Sequence, residues 1–305
     1  MKSRKLTVFL AFGAILLLLL LSSGCGKKVN VVAGRLYYTV REVGCTRIEW
    51  TDVDGLECHH VLGALPVRDE FSDRQVNTDN NEALARDSKY VSSPFVSDDG
   101  RYMVCLYGKQ PAICLYNLVT KQQEGTIKAT GRFYYPSLGR DREVFYSRLN
   151  DGKRCSLYMQ RYPQAPAELL RSYYIDGAAF CSVDNSVYYS EVYPDGYTML
   201  KRCDLQGKNV TDVIEGATQP AFPRIGHELA CVLSGKLLLY NLYTHDRSFV
   251  NAEIGTVSPC WNPQGNALAF VRNGAIFTVV PGQEPVQLVL KDKEIVDVFW
   301  AKGLD

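Results

Sequence analysis

The sequence predicts an all-β fold, a six-bladed β-propeller of four-stranded blades, because one turn motif recurs along the chain at nearly constant intervals. Copies of the motif begin at Pro94, Pro136, Ala179, Pro220 and Pro259, so that successive copies start 42, 43, 41 and 39 residues apart. A short apolar run follows each copy. Self-similarity with a period of about 40 residues, with strands in every unit, is typical of a propeller.

Each repeat carries the signals of four strands. A first strand ends in a tight turn such as Asn262-Pro263-Gln264-Gly265, in which proline presets φ and glycine takes the position with positive φ. A second strand returns, and a third is marked by apolar pairs at residues 115–116, 157–158, 199–200, 239–240 and 276–277, spaced 42, 42, 40 and 37 residues apart. Polar turns follow most of these pairs. A fourth, less regular strand would complete a blade.

The two ends of the chain complete the count of blades. Residues 34–40 resemble a second strand and residues 47–50 a third strand, but no first strand precedes them. At the other end, residues 295–300 resemble a first strand with nothing after it. We therefore expect one blade to combine strands from both termini, which closes the ring and removes its open sheet edges.

The spacing also predicts the domain boundaries. A polar stretch, residues 66–90, fills an interval of extra length between the first two repeats, and we interpret it as a long inter-blade loop with a helical turn around residues 82–85. The predicted divisions are a signal peptide over residues 1–24, a tether over residues 25–30 and a propeller over residues 31–305.

The turn motifs resemble those of the TolB-like propeller family, in which a Ser-Pro-Asp-Gly turn follows the first strand and an Asp-x-x-Thr-Gly turn follows the third. The nearest copies are Ser97-Asp98-Asp99-Gly100 and residues 262–265, and the resemblance covers roughly residues 30–305. Two copies place Arg142 and Asn185 where the family has glycine. The resemblance implies the propeller fold. It does not by itself imply the docking of TolB to partners at the outer membrane.

The N-terminus resembles a bacterial lipoprotein signal. A basic start with Lys2, Arg4 and Lys5 precedes an apolar run over residues 6–21, and small residues then lead to Cys25. This pattern predicts cleavage before Cys25 and acylation of its thiol, with diacylglycerol and palmitate as the lipid. An uncleaved anchor helix is the alternative, since about 20 uncharged residues can span a bilayer. Both interpretations place the propeller outside the inner membrane. By resemblance to enterobacterial sorting, Gly26 after the cysteine favours the periplasmic side of the outer membrane.

The charge balance and the cysteines bear on possible partners and on possible disulfides. A net charge of +1 gives no basic excess, which argues against nucleic acid as a partner. Nine of the 10 cysteines remain beyond Cys25, and core packing is the default interpretation for Cys105 and Cys231. If residues 108–111 form a four-residue loop, Cys105 and Cys114 lie directly opposite on adjacent strands, which permits a disulfide.

Motifs that carry chemistry are scarce. His59 and His60 are neighbours on a probable strand and point to opposite faces, which is poor geometry for sharing a metal, and the other two histidines lie at turns. The Asp-x-Asp-Gly segment at residues 52–55 is explained as a turn, so we expect no metal site and no cofactor. No nucleophile elbow, phosphate loop or dinucleotide fingerprint occurs. We expect a membrane-anchored scaffold or protein-binding module of the bacterial cell envelope. The alternatives are a propeller enzyme acting on envelope polysaccharide or peptide, and a propeller that once regulated access to a peptidase domain.

Strand order also predicts a binding surface. Loops that join blades, and loops between second and third strands, share one face of a propeller. There we expect Arg132, Arg171 and Tyr197 to anchor a protein or glycan partner, because arginine and tyrosine are enriched at binding hot spots. The alternative is that the tyrosines near them pack between the blades.

Overall fold

A computed structural model describes residues 34–53, 57–63, 90–108, 112–128, 131–140, 142–150, 154–161, 166–171, 174–250, 254–288, 290 and 293–303. These residues form 24 strands in six antiparallel sheets of four. The six-bladed propeller predicted from the repeat is therefore confirmed. The predicted signal peptide, the tether and nearly all of the loop over residues 66–90 lie outside the described residues.

The blades are numbered here from the N-terminus, and the strands of each are given from the innermost to the outermost. Blade 1 contains β24 (Glu294–Ala301), β1 (Arg35–Glu42), β2 (Cys45–Asp52) and β3 (Cys58–Gly63). Blade 2 contains β4 (Val91–Val96), β5 (Tyr102–Tyr107), β6 (Ala112–Asn117) and β7 (Gln122–Ile127). Blade 3 contains β8 (Arg132–Leu138), β9 (Glu143–Asn150), β10 (Arg154–Arg161) and β11 (Glu168–Arg171). Blade 4 contains β12 (Tyr174–Cys181), β13 (Ser186–Val192), β14 (Thr198–Asp204) and β15 (Thr211–Glu215). Blade 5 contains β16 (Ala217–Ala221), β17 (Glu228–Leu233), β18 (Lys236–Asn241) and β19 (Arg247–Phe249). Blade 6 contains β20 (Thr256–Trp261), β21 (Leu268–Arg272), β22 (Ala275–Val279) and β23 (Val286–Gln287).

The predicted closure of the ring is present in blade 1. Strand β24 pairs antiparallel with β1, with Leu36 opposite Trp300 and Val40 opposite Ile295. Trp300 is only 2% exposed and packs against Leu36, Val40 and the innermost strand of blade 6. The last strand of the chain therefore completes the first blade, and the ring needs no open edge between its first and last blades.

The turn motif has the backbone geometry that its sequence predicts. Gly100 and Gly265 have φ of 75° and 69°, and Arg142 and Asn185 adopt the same left-handed conformation with φ of 61° and 53°. A side chain at residue 265 would also lie 2.7 Å from the carbonyl oxygen of Ile225 in blade 5. Glycine is required there by both backbone and space, whereas blade 3 accommodates arginine.

Packing between adjacent blades forms the core. Each of the six clusters of buried side chains joins the facing sheets of two neighbours, and the innermost strands follow one another around a ring from β24 through β4, β8, β12, β16 and β20. Strand direction gives the ring two faces. The turn-motif face carries the loops from first to second and from third to fourth strands. The inter-blade face carries the loops from second to third strands and those between blades.

Candidate binding channel

A channel runs along the axis of the ring between the six innermost strands. It has a volume of about 450 Å³ and is lined by residues of all six blades. Its lining extends from the middle of each innermost strand to the turn motifs, so that its mouth lies at the turn-motif face. A cavity of this size is within the range of small-ligand sites, and we treat it as the candidate functional site.

Bulges in the innermost strands shape the inner end of the channel. In five of the six innermost strands the pairing skips two residues at the same level, and each skipped pair includes one of Ser93, Tyr135, Gly177, Gln219 and Ser258. These five residues have φ between 49° and 87°. Four of them precede proline in the sequence, and proline cannot donate to the strand pairing that it interrupts. Non-glycine residues in this conformation are strained, which is typical of ligand sites.

The bulges place a ring of polar groups at the floor of the channel. Asp297 of β24 accepts hydrogen bonds from the backbone N–H of Ser93 at 2.9 Å and from its hydroxyl at 3.4 Å. Gln219 accepts a bond of 2.7 Å from the backbone N–H of Ser258, and Tyr135 is hydrogen-bonded to Asp176. The polar floor therefore links neighbouring blades in pairs: 1 with 2, 3 with 4, and 5 with 6.

Of the two carboxylates at the floor, Asp176 is hydrogen-bonded to Tyr135 and Asp297 lines the channel. Burial raises the pKa of Asp297, and hydrogen bonds from Thr39 and Ser93 offset the effect only in part, so that the pKa lies above its ordinary value. Among the described residues, no lysine or arginine forms a salt bridge with Asp297. An ionised carboxylate in such surroundings lacks the cation that would offset its desolvation.

Aromatic side chains form the wall between floor and mouth. Phe95, Phe180, Phe222 and Phe299 line the channel and are half-buried. Phe95 of blade 2 contacts Phe299 of blade 1 with a centroid distance of 4.3 Å. The wall thus offers apolar surface to whatever enters the channel.

Charged side chains surround the mouth. Arg140, Arg224, Lys302 and Asp98 all lie there, so that cations outnumber carboxylates. The guanidinium of Arg224 forms a salt bridge of 3.2 Å with Asp98. Arg224 belongs to blade 5 and Asp98 to blade 2, which are opposite each other in the ring. This ion pair therefore crosses the mouth, and we call it the crossbar.

Hydrogen bonds continue from the crossbar around the mouth. Arg140 donates to the carbonyl oxygen of Ser182 at 3.2 Å, and the hydroxyl of Ser182 donates to the carbonyl oxygen of Arg224 at 3.2 Å. Exposed ion pairs contribute only about 0–1 kcal/mol. The crossbar can therefore open for a ligand at small cost.

The three residues that the sequence predicted for binding lie on the opposite face of the ring. Arg132 begins β8, Arg171 ends β11, and Tyr197 lies in the loop between β13 and β14, so that all three are at the inter-blade face. Arg132 and Tyr197 are exposed, whereas Arg171 is half-buried and its charge lies close to the phenol of Tyr189, a core residue. Their role in binding stays a prediction.

The predicted cysteine pair lies as expected. Cys105 and Cys114 are directly opposite each other in the pairing of β5 with β6. Both are free and buried thiols, and a hydrogen bond from the Cys105 thiol to Cys114, together with burial, raises the pKa of Cys105 well above its ordinary value. The disulfide between them stays a prediction, as does lipidation of Cys25, which lies outside the described residues.

Metal centres and membrane-spanning helices are other features that the part of the chain described by the structure could contain. Within this part of the chain, no group of three or more histidine, cysteine or acidic residues is arranged to hold a metal ion. In the same residues, no helix combines the length and hydropathy that a membrane span requires.

Sequence reasoning missed the channel residues, although a signal was present. Proline recurs inside the innermost strand as Ser93-Pro94, Tyr135-Pro136, Gln219-Pro220 and Ser258-Pro259. Proline within a predicted central strand indicates a bulge or an edge. The repeat of this pair at one strand position could have located the floor.

Comparisons with known proteins identify the fold. No protein-family model matches the chain, and no curated protein matches it significantly. Among solved structures, TolB from Acinetobacter baumannii is similar with a TM-score of 0.69 and 18% identity, over 88% of this chain and 67% of the other. The Nidogen/Laminin complex matches with a TM-score of 0.66 and 11% identity, over 88% and 98%.

A protein from Agrobacterium tumefaciens described as a TolB matches with a TM-score of 0.56 and 11% identity, over 84% of this chain and 88% of the other. At these identities the likeness shows the propeller fold alone. In total 902 chains of solved structures match, and one fold hosts many activities, so the fold alone does not determine the function.

Proposed function

We propose that this chain is a membrane-anchored, extracytoplasmic propeller of the bacterial cell envelope that binds a protein partner at the mouth of its channel. The observation that carries the proposal is the channel itself, in which an aromatic wall lies behind a charged rim contributed by several blades. Protein-binding sites combine an apolar centre with a polar rim in the same way. A similar fold occurs in the Nidogen/Laminin complex, an assembly of proteins.

Binding suits the channel better than catalysis does. Glycoside hydrolysis needs two carboxylates within about 5–10 Å of each other. Here Asp297 lies at the floor beside Ser93, and Asp98 lies at the mouth, five residues after Ser93, which corresponds to roughly 15 Å along the axis. Asp98 is also paired with Arg224. The two carboxylates that line the channel, Asp98 and Asp297, are therefore poorly placed to act on one bond.

The anchor would orient the channel. Gly34, the first described residue, lies close to the indole of Trp300 and the carbonyl oxygen of Ala301, at the turn-motif face. Gly34 is nine positions after Cys25, and nine extended residues span at most about 30 Å. A lipid on Cys25 would therefore hold the turn-motif face, and with it the mouth, near the membrane surface. We propose that this membrane is the outer membrane and that the propeller lies on its periplasmic side.

Site-specific photo-crosslinking from the two faces tests the proposal. A photoreactive residue is placed at Ile225, which is 76% exposed beside Arg224, or at Val43, which is fully exposed at the turn between β1 and β2 on the inter-blade face. In intact cells we expect a discrete adduct from Ile225 and none from Val43. An adduct from Val43 alone would place the partner on the inter-blade face. Adducts from neither position would contradict a protein partner.

A further inference from the structure

We propose that the floor of the channel binds a protonated amine, presented by the N-terminus of a peptide or by a small amine, with Asp297 as its counter-ion. The inference deepens the proposed function, since an N-terminus is one way in which a protein partner would enter the channel. It depends on the surroundings of Asp297, on the length of the channel and on the charges at its two ends.

The floor is chemically suited to an ammonium group. Asp297 has hydrogen-bond donors in Ser93 but no cationic partner among the described residues. Ser258 and Gln219, whose side chains carry a hydroxyl and a carboxamide, line the channel at the same level of bulges. An ammonium group has three donors and no acceptor, so that a carboxylate with neutral oxygens around it satisfies all three. The bound cation would also offset the cost of keeping Asp297 ionised away from water.

The length of the channel limits what can deliver the amine. Five strand positions separate Asp297 from Lys302 at the mouth, which is roughly 15 Å at about 3.3 Å per residue. A lysine side chain on a partner that stays outside the mouth is too short for this distance. The ligand is therefore narrow over its whole length, as an extended peptide terminus or a small molecule is.

The charges of the mouth add a second requirement for a peptide. Arg140 and Arg224 lie at the rim, where they repel a cation and attract an acidic group. An extended peptide with its amino group on Asp297 would bring about its fifth residue to the rim. The peptide class that the channel fits best has a free amino terminus and an acidic residue about four positions after it.

Synthetic peptides test this inference without a known partner. The probe is an amidated pentapeptide of four alanines followed by an aspartate, made with a free or an acetylated amino group, and with aspartate or asparagine at its last position. Phenethylamine and its neutral isostere 2-phenylethanol form the small-molecule arm. Binding to the purified propeller is measured by calorimetry and by protein-observed NMR.

We expect the wild-type protein to bind the free peptide at least tenfold more tightly than the acetylated one. Asp297→Asn should abolish this preference, Arg140→Gln should reduce only the preference for aspartate over asparagine, and Asp212→Asn on the exposed strand β15 should change neither. A preference for phenethylamine over phenylethanol without a peptide effect identifies a small amine as the source and supports the same floor chemistry.

Two results would overturn the inference. One is equal binding of amine and neutral probes by the wild-type protein, which needs no variant and so does not depend on the folding of Asp297→Asn. The other is a preference for amines that persists in Asp297→Asn. Either result leaves the proposed function standing, because crosslinking from Ile225 tests a protein partner whatever group occupies the floor.

Discussion

Replacing Trp300 with alanine should destabilise the protein strongly, because this residue joins the last strand to the first blade. Its side chain is only 2% exposed and packs among Leu36, Val40 and Ala269, from strands at both ends of the chain. Truncating a buried tryptophan to alanine costs about 3–5 kcal/mol. For a domain of this size, each kcal/mol corresponds to about 2–4 °C in melting temperature, so that the expected decrease is on the order of 10 °C.

Thermal unfolding followed by far-UV circular dichroism measures this decrease without relying on tryptophan emission. The matched control is Phe249→Ala, which removes an aromatic side chain that is 56% exposed on the outermost strand β19 and should cost no more than about 0.5 kcal/mol. Trp300→Phe should lie between them, because the indole N–H has no hydrogen-bond partner among the described residues. Equal melting temperatures for Trp300→Ala and Phe249→Ala would refute closure of the ring through β24.

Further predictions concern acidic residues, thiols and the anchor. Burial tends to raise the pKa of Glu49, but hydrogen bonds from lysine and arginine outweigh it and lower the pKa, so Glu49→Gln should cost about 3 kcal/mol at pH 7. In urea titrations this deficit should vanish as the pH falls from about 4.5 through the lowered pKa. Asp297→Asn should instead be more stable than the wild type at pH 7, since the raised pKa of Asp297 means that ionising it above about pH 4 destabilises the folded protein. Equal stability of the two proteins at pH 7 would argue against this. Non-reducing peptide mapping should find Cys105 linked to Cys114 if export oxidises them, and two free thiols would exclude the disulfide. Cys25→Ala should leave an uncleaved, unacylated precursor, whereas mass spectrometry of the wild type beginning at Met1 would exclude the lipoprotein.

Much of the fold could be predicted because each blade repeats one local rule. The turn motif requires a left-handed residue at a fixed place, and the structure has one at Gly100, Arg142, Asn185, Gly226 and Gly265. Closure was also visible, because the apolar segment over residues 295–300 lacked a partner within its own repeat. The spacing of motifs in the sequence therefore predicts both the left-handed turn positions and the pairing of the two terminal segments.

The channel was not predicted, because it depends on residues that are far apart in the chain. Ser93 and Asp297 are 204 residues apart, yet they share a hydrogen bond across two blades. Asp98 and Arg224 meet only because their blades are opposite in the ring. Composition directed attention instead to Arg132 and its neighbours on the inter-blade face, since tyrosine and arginine are frequent there. Residue type alone does not distinguish the two faces.

Recovery of a crosslinked partner from cells that express matched variants tests binding at the mouth of the channel most directly. One double variant, Arg140→Gln with Arg224→Gln, changes the turn-motif face. The other, Arg132→Gln with Tyr197→Ala, changes exposed residues of the inter-blade face and leaves the half-buried Arg171 intact. With equal protein levels and melting temperatures, we expect the first to lose the partner and the second to retain it. Retention by the first and loss by the second would contradict binding at the mouth and favour the inter-blade face.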